Sequence, residues 1–319
     1  MNLRTFGLVI AMAWAGLASA AVAAQPPGIP AGWSDAFVYA NGARLHYYHA
    51  VPQPGKPVMI MVHGVSDNGL SWTTLTEELQ GAYDIYMLDS RGHGLSDPFT
   101  DAATGDTLVE DVVGFVRAMN FTKPILMGHS MGAATVMRLG AQYPDLPRAV
   151  IMLDQGLGGP AAGAPARPAT SAAPAAPAQP QPRQPGSVAM FAAPEIMVAQ
   201  NNDPYDALLA TCARQNAMWD PVDCQYWALS KKQYHGAYSQ AQQAAMRGTM
   251  STGDALARIT APALILKADA TPEVRAANDK AASVMKTGKL VHVDGARHNL
   301  HHDKRARTVE LLNDFLGKL

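Results

Sequence analysis

Short, nearly continuous apolar runs separated by helix-like stretches constrain this chain more than any other feature. Pro57-Val58-Met59-Ile60-Met61-Val62, Ile85-Tyr86-Met87-Leu88, Ile125-Leu126-Met127, Ala149-Val150-Ile151-Met152-Leu153, Ala263-Leu264-Ile265-Leu266 and Leu290-Val291-His292-Val293 form the series. A strand with one wet face alternates apolar and polar residues, whereas an apolar run is covered on both faces. Such runs with helices between them predict a mostly parallel central sheet flanked by helices, an α/β fold. Leu108 to Met119 shows the helical spacing, with Thr104 or Asp106 available as its cap. Ahead of the series, Phe37-Val38-Tyr39 and Leu45-His46-Tyr47-Tyr48 flank Asn41-Gly42. That pair accepts positive φ and predicts a tight hairpin.

Composition bounds what the fold can do. The 319 residues suffice for one large domain with appendages, and 48% of them are hydrophobic, enough for a sizeable core. A formal net charge of -1 lacks the basic excess of a nucleic-acid-binding domain. The two cysteines, Cys212 and Cys224, exclude a disulfide scaffold and a four-cysteine zinc site. Behind an export signal they are expected to pair with each other, the alternative being two buried thiols.

That signal is read in residues 1–24. A basic start at Arg4 precedes the apolar run Phe6 to Ala18, which ends in Ala18-Ser19-Ala20 and Val22-Ala23-Ala24. This is the layout of a cleaved leader, with an uncleaved membrane anchor as the less favoured reading. The expected location is periplasmic or secreted, with no stable membrane span once the leader is gone. Residues 25–155 and 253–319 form the two parts of the core. Residues 156–187 are a Pro/Ala-rich linker with little apolar surface to bury, and 188–252 a helical cap. Trp219 and Trp227 are the cap aromatics whose substitution is expected to show whether the cap sets substrate size, the alternative being that they only pack the cap onto the core.

The strongest local signal is Gly128-His129-Ser130-Met131-Gly132, between an apolar run and a helix-like stretch. A serine on a sharp strand-to-helix turn needs small neighbours on both sides. The turn lifts the hydroxyl above the sheet edge and aims the positive end of the next helix at a developing oxyanion. Such a serine needs a base, and the base an orienting acid. His298, in Asp294-Gly295-Ala296-Arg297-His298-Asn299 past the last apolar run, is the best placed of the ten histidines. His301 and His302 adjoin it, but no carboxylate or cysteine completes a convincing ligand set, so they read as a helix face.

Four motifs together resemble the α/β-hydrolase fold superfamily of serine hydrolases. They are His63-Gly64-Val65-Ser66-Asp67-Asn68 with Trp72, Asp89-Ser90-Arg91-Gly92-His93-Gly94-Leu95-Ser96, the serine turn, and Gly295-Ala296-Arg297-His298. The resemblance implies Ser130 as nucleophile and His298 as base. It implies an oxyanion hole from the backbone N–H groups of Val65 and Met131. It leaves Asp89, Arg91 and His93 as a structural turn. No metal or organic cofactor is implied, and the partner is a small-molecule substrate.

The acid departs from the family pattern. A Gly-x-x-Asp is expected after the seventh strand, but the chain reads Leu266-Lys267-Ala268-Asp269. Asp269 is favoured because it still follows a strand. Asp154, after Ile151-Met152-Leu153, is its rival, with Glu273 and Asp294 as outsiders. A serine at the elbow disfavours the aspartate chemistry of dehalogenase and epoxide-hydrolase relatives. The reading is a hydrolase of a small ester, thioester, lactone or amide through an acyl-enzyme. C–C bond hydrolysis, a cofactor-free haloperoxidase-like activity, and a ligand-binding role with little turnover stay open.

Overall fold

The computed structural model describes residues 24–157, 194–236 and 239–319. The leader except its last residue, nearly all of the Pro/Ala-rich linker and the start of the cap lie outside the described residues.

The strands are β1 (Ser34–Ala40), β2 (Ala43–His49), β3 (Val58–Val62), β4 (Asp84–Leu88), β5 (Ile125–His129), β6 (Ala149–Leu153), β7 (Ala263–Lys267) and β8 (Gly288–His292). They form one sheet in the order β1-β2-β4-β3-β5-β6-β7-β8. The β1–β2 and β2–β4 pairings are antiparallel, and every other pairing is parallel. The expected hairpin is β1–β2, with Asn41 at φ 47° and Gly42 at φ 70°.

The core helices are α1 (Thr73–Leu79), α2 (Thr107–Ala118) and α3 (Met131–Gln142). Between β6 and β7 the insert holds α4 (Pro194–Asn201), α5 (Tyr205–Gln215), α6 (Pro221–Lys232) and α7 (Gln240–Arg247). The core resumes with α8 (Thr252–Arg258), then α9 (Pro272–Ala282), α10 (Leu300–Asp303) and α11 (Arg305–Leu316).

The apolar runs are buried on both faces because successive side chains point to opposite sides of a strand. Ile60 and Val62 of β3 pack with Val113 of α2, Val136 of α3 and Leu256 of α8. Met59 and Met61 of the same strand pack on the other face, with Leu75 of α1 and Leu312 of α11. Two details correct the sequence reading. Asp106 does stand at the cap position of α2, but makes no capping bond. Its carboxylate instead accepts from Gln142 and Thr249, 3.1 and 3.2 Å away. The last strand runs Gly288–His292, two residues ahead of the apolar run at its start.

Cys212 and Cys224 are joined in a disulfide that ties α5 to α6. Trp219 and Trp227 pack around it. Trp219 is buried, and its Nε1 donates to Asp303 of α10 at 2.8 Å. The two tryptophans thus hold the insert together, and one of them fastens it to the core.

Candidate active site

The C-terminal ends of β3, β5, β6 and β7 meet at one edge of the sheet, where ligands sit in open α/β folds. Ser130 follows β5 directly, at φ 50° and ψ -111°, outside the regions ordinary residues favour. Its glycine flanks are steric necessities. A Cβ on Gly128 would collide with the backbone of Gly132, and one on Gly132 with the carbonyls of Val62 and His63. Only glycines allow the start of α3 to press against the end of β3. This juxtaposition brings Met131, the first residue of α3, to the loop carrying Val65. A first-turn N–H has no partner within its own helix.

His298 arrives from the loop after β8. Its Nε2 lies 3.0 Å from Ser130 Oγ, and its Nδ1 2.6 Å from Asp154 Oδ2. An ionised carboxylate can only accept, so the Nδ1–H donates to Asp154 and Nε2 accepts the Ser130 hydroxyl. Three features fix the loop. His129 Nε2 donates to the His298 carbonyl at 3.0 Å. Arg297 N–H donates to Asp303 Oδ2 at 2.8 Å, and Gly295 N–H to Asp269 Oδ2 at 2.7 Å. Burial first, and the proximity of the second imidazole His298 next, push His129 down to about 3, so it stays neutral under the loop it holds.

Asp269, the acid favoured from sequence, does not meet the histidine. Strand β7 ends at Lys267, so Asp269 lies two residues beyond it and turns outward. Arg275 Nη2 lies 2.5 Å from its carboxylate and also from Asp294. The rival Asp154, directly after β6, is the residue against His298. Its second oxygen accepts from Ala268 N–H at 3.0 Å and lies 2.5 Å from Lys267 Nζ. Burial pushes the Asp154 carboxyl up, but the His298 hydrogen bond and the Lys267 ammonium outweigh it. They hold it well below the usual carboxylate range. Lys267 escaped the sequence reading, although a lysine closing a buried apolar run was the signal.

The Asp89–Ser96 turn is structural, as expected. Asp89 accepts from Gly69 and Leu95 N–H and lies 2.8 Å from His46 Nδ1. Arg91 is paired with Asp111 at 2.6 Å. His301 and His302 are buried in a row of tilted ring contacts that runs from His129 to Trp219, with centroids 4.1–4.7 Å apart.

Three non-glycine residues at this edge have positive φ: Ser66 (63°), Ser130 (50°) and Asp154 (49°). Backbone strain of this kind collects at functional sites. Comparison with known proteins accords with the geometry, since the pattern of the alpha/beta hydrolase family matches residues 59–311. The chain belongs to the alpha/beta hydrolase family. It is 34% identical over 98 residues to 2-(acetamidomethylene)succinate hydrolase of Mesorhizobium japonicum, covering 31% of this chain and 35% of that one. It is 36% identical over 126 residues to N-formylmaleamate deformylase of Pseudomonas putida, covering 39% and 46%. The chain thus spans less than half the length of these curated relatives. The crystal structure of E-2-(acetamidomethylene)succinate hydrolase superposes with a TM-score of 0.64 at 21% identity, over 89% of this chain and 99% of that one.

Proposed function

We propose that this chain is an exported serine hydrolase that cleaves a small ester, thioester, lactone or amide through an acyl-enzyme. The observation that carries the reading is the unbroken chain Ser130 Oγ, His298 Nε2, His298 Nδ1, Asp154 Oδ2, with links of 3.0 and 2.6 Å. Ser130 Oγ attacks the substrate carbonyl as its proton passes to His298 Nε2. Asp154 holds the imidazole in the right tautomer and stabilises the imidazolium. Backbone N–H groups of Val65 and Met131 receive the oxyanion. The intermediate collapses, His298 protonates the leaving group, and water then releases the acyl group by the same route in reverse. The names of the two relatives contain an acetamido and an N-formyl group, both acyl–nitrogen, which keeps amides in the panel beside esters.

Export is supported by the leader layout of residues 1–24 and by the Cys212–Cys224 bond, since such bonds persist in oxidising compartments. The test is covalent labelling with a fluorophosphonate, followed by turnover of ester, thioester, lactone and amide panels. Wild-type protein should label and Ser130→Ala should not. Absence of labelling in the wild type, or equal labelling of the variant, overturns the reading.

A further inference from the structure

One buried cation has no part in the chemistry above. Lys231, in the last turn of α6, is 4% exposed. Its ammonium donates to the Ser66 carbonyl at 2.7 Å, to Ser66 Oγ at 3.0 Å and to Asp67 Oδ1 at 2.9 Å. All three hydrogen bonds fall on the loop after β3, while the ammonium also lies 4.9 Å over the Trp227 ring of its own helix. Removing an ion pair from water costs about what the attraction returns, so burial of this pair is poor evidence of a stability role.

The loop explains what the lysine touches. Asp67 N–H donates to the Gly64 carbonyl at 3.2 Å, closing a four-residue turn with Val65 and Ser66 at its centre. Ser66 stands third in that turn with φ 63°, the position and sign that call for glycine. The Val65 N–H takes no part in the turn's own bond. A serine strained in this way needs an outside partner, and Lys231 bonds both of its oxygens. Two neighbours of Lys231 add to the grip. Gln233 accepts from Asn68 Nδ2 at 2.7 Å. The Tyr234 ring lies against His93, which in turn lies against His63.

We propose that Lys231 is a positioning residue for the oxyanion hole. Its ammonium, supplied by the helical insert, holds the Gly64–Asp67 turn in the form that presents the Val65 N–H to the carbonyl under attack. The proposal rests on the reading of Ser130 as nucleophile and adds a role for the insert: completing the hole from outside the core.

The test uses the full chain with both charges of the pair removed, Lys231→Met with Asp67→Leu. Replacing both partners by apolar groups of similar shape leaves no buried charge unpaired. The probes are p-nitrophenyl acetate turnover and the rate of fluorophosphonate labelling, with melting temperatures recorded alongside. The double variant should melt near the wild type, while kcat and the labelling rate fall about tenfold or more and KM stays within about twofold. Adding Ser66→Gly should restore most of the rate, because glycine adopts this φ without help.

A double variant as fast as the wild type overturns the proposal. So does a slow one that glycine fails to rescue, since its defect then lies outside the turn. A variant that melts below the assay temperature also overturns it, by giving the pair a stability role. Ser130→Ala keeps the two readings apart. If it abolishes labelling while the double variant labels normally, Lys231 loses its role and Ser130 keeps its own.

Discussion

Asp154 and Asp269 follow neighbouring parallel strands, and each lies 2.5 Å from a cation, yet only Asp154 meets His298. The Asp154 side chain is 10% exposed and that of Asp269 41%. Asp154 comes directly after β6, and its N–H donates to Leu266 of β7, so its carboxylate is caught between two strand ends. Asp269 has already left β7 and faces the first turn of α9. One residue of extra chain past the strand end separates an acid that can orient a base from one that braces a surface turn. The same residue type on the same edge is sorted by where its strand stops.

The sharpest way to break this comparison is Asp154→Asn beside Asp269→Asn. Asparagine at 154 can offer an N–H to His298 Nδ1, favouring the wrong tautomer, and kcat/KM for any turned-over ester should fall about 10³–10⁴-fold. The Asp269 variant should stay within a few-fold of the wild type. The reverse ranking would return the orienting role to Asp269.

Lys267→Met sharpens the electrostatic side. It leaves Asp154 buried without its ammonium, at an expected cost of about 3–5 kcal/mol near neutral pH. The sign follows from linkage. Asp154 is depressed in the folded state, so the stability it contributes is present above the unfolded carboxylate range, about pH 4, and is lost as pH falls through its folded value. The variant's deficit should therefore be largest at neutral pH and shrink as acid neutralises Asp154. Melting temperatures from neutral pH down to about pH 3 check it. A deficit that stays constant over that range would mean lost packing and no charge effect.

Legibility in the sequence divides along the same line. The strands were readable because burial on both faces leaves no polar alternation, as in Ala149–Leu153. Ser130 and His298 were readable because a sharp turn and a loop past the last strand restrict what can stand there. The acid was not, because both aspartates follow strands. What separates them is the register of β6 against β7, with Leu153 opposite Leu266, which no local pattern encodes. Lys231 and Asp67 lie 164 residues apart, and nothing in either neighbourhood announces the other. The insert's tryptophans were given a pocket role on the insert's placement between two strands and on its composition. The disulfide and the bond to Asp303 show how poorly composition distinguishes a lining residue from a fastener.

Trp219→Phe tests the loop that brings the base to Asp154. Phenylalanine keeps a ring against the disulfide but removes the donor to Asp303, whose other oxygen holds Arg297 N–H. A loss of about 1 kcal/mol in stability is expected, with turnover down a few-fold as the residue before His298 loosens. Unchanged turnover at lowered stability would confine Trp219 to fastening the insert.

The smallest effect should come from Asp269→Asn, and its size decides what Asp269 is for. Three interactions hold this carboxylate: the Arg275 pair, the N–H of Ala270, and the N–H of Gly295, three residues ahead of His298. The ion pair is open to solvent, where screening and side-chain entropy leave little net gain. Asparagine keeps an oxygen able to accept from Gly295, so the turn leading to His298 should survive. Turnover and melting temperature should therefore barely move. Asp269→Ala removes the acceptor as well and should slow turnover modestly, because the turn then relies on Asp303 and His129. If asparagine is as harmful as alanine, the charge matters and Asp269 acts on the site through its field. If asparagine is silent and alanine is not, Asp269 is a brace for the loop that delivers the base, and the contrast with Asp154 is one of geometry.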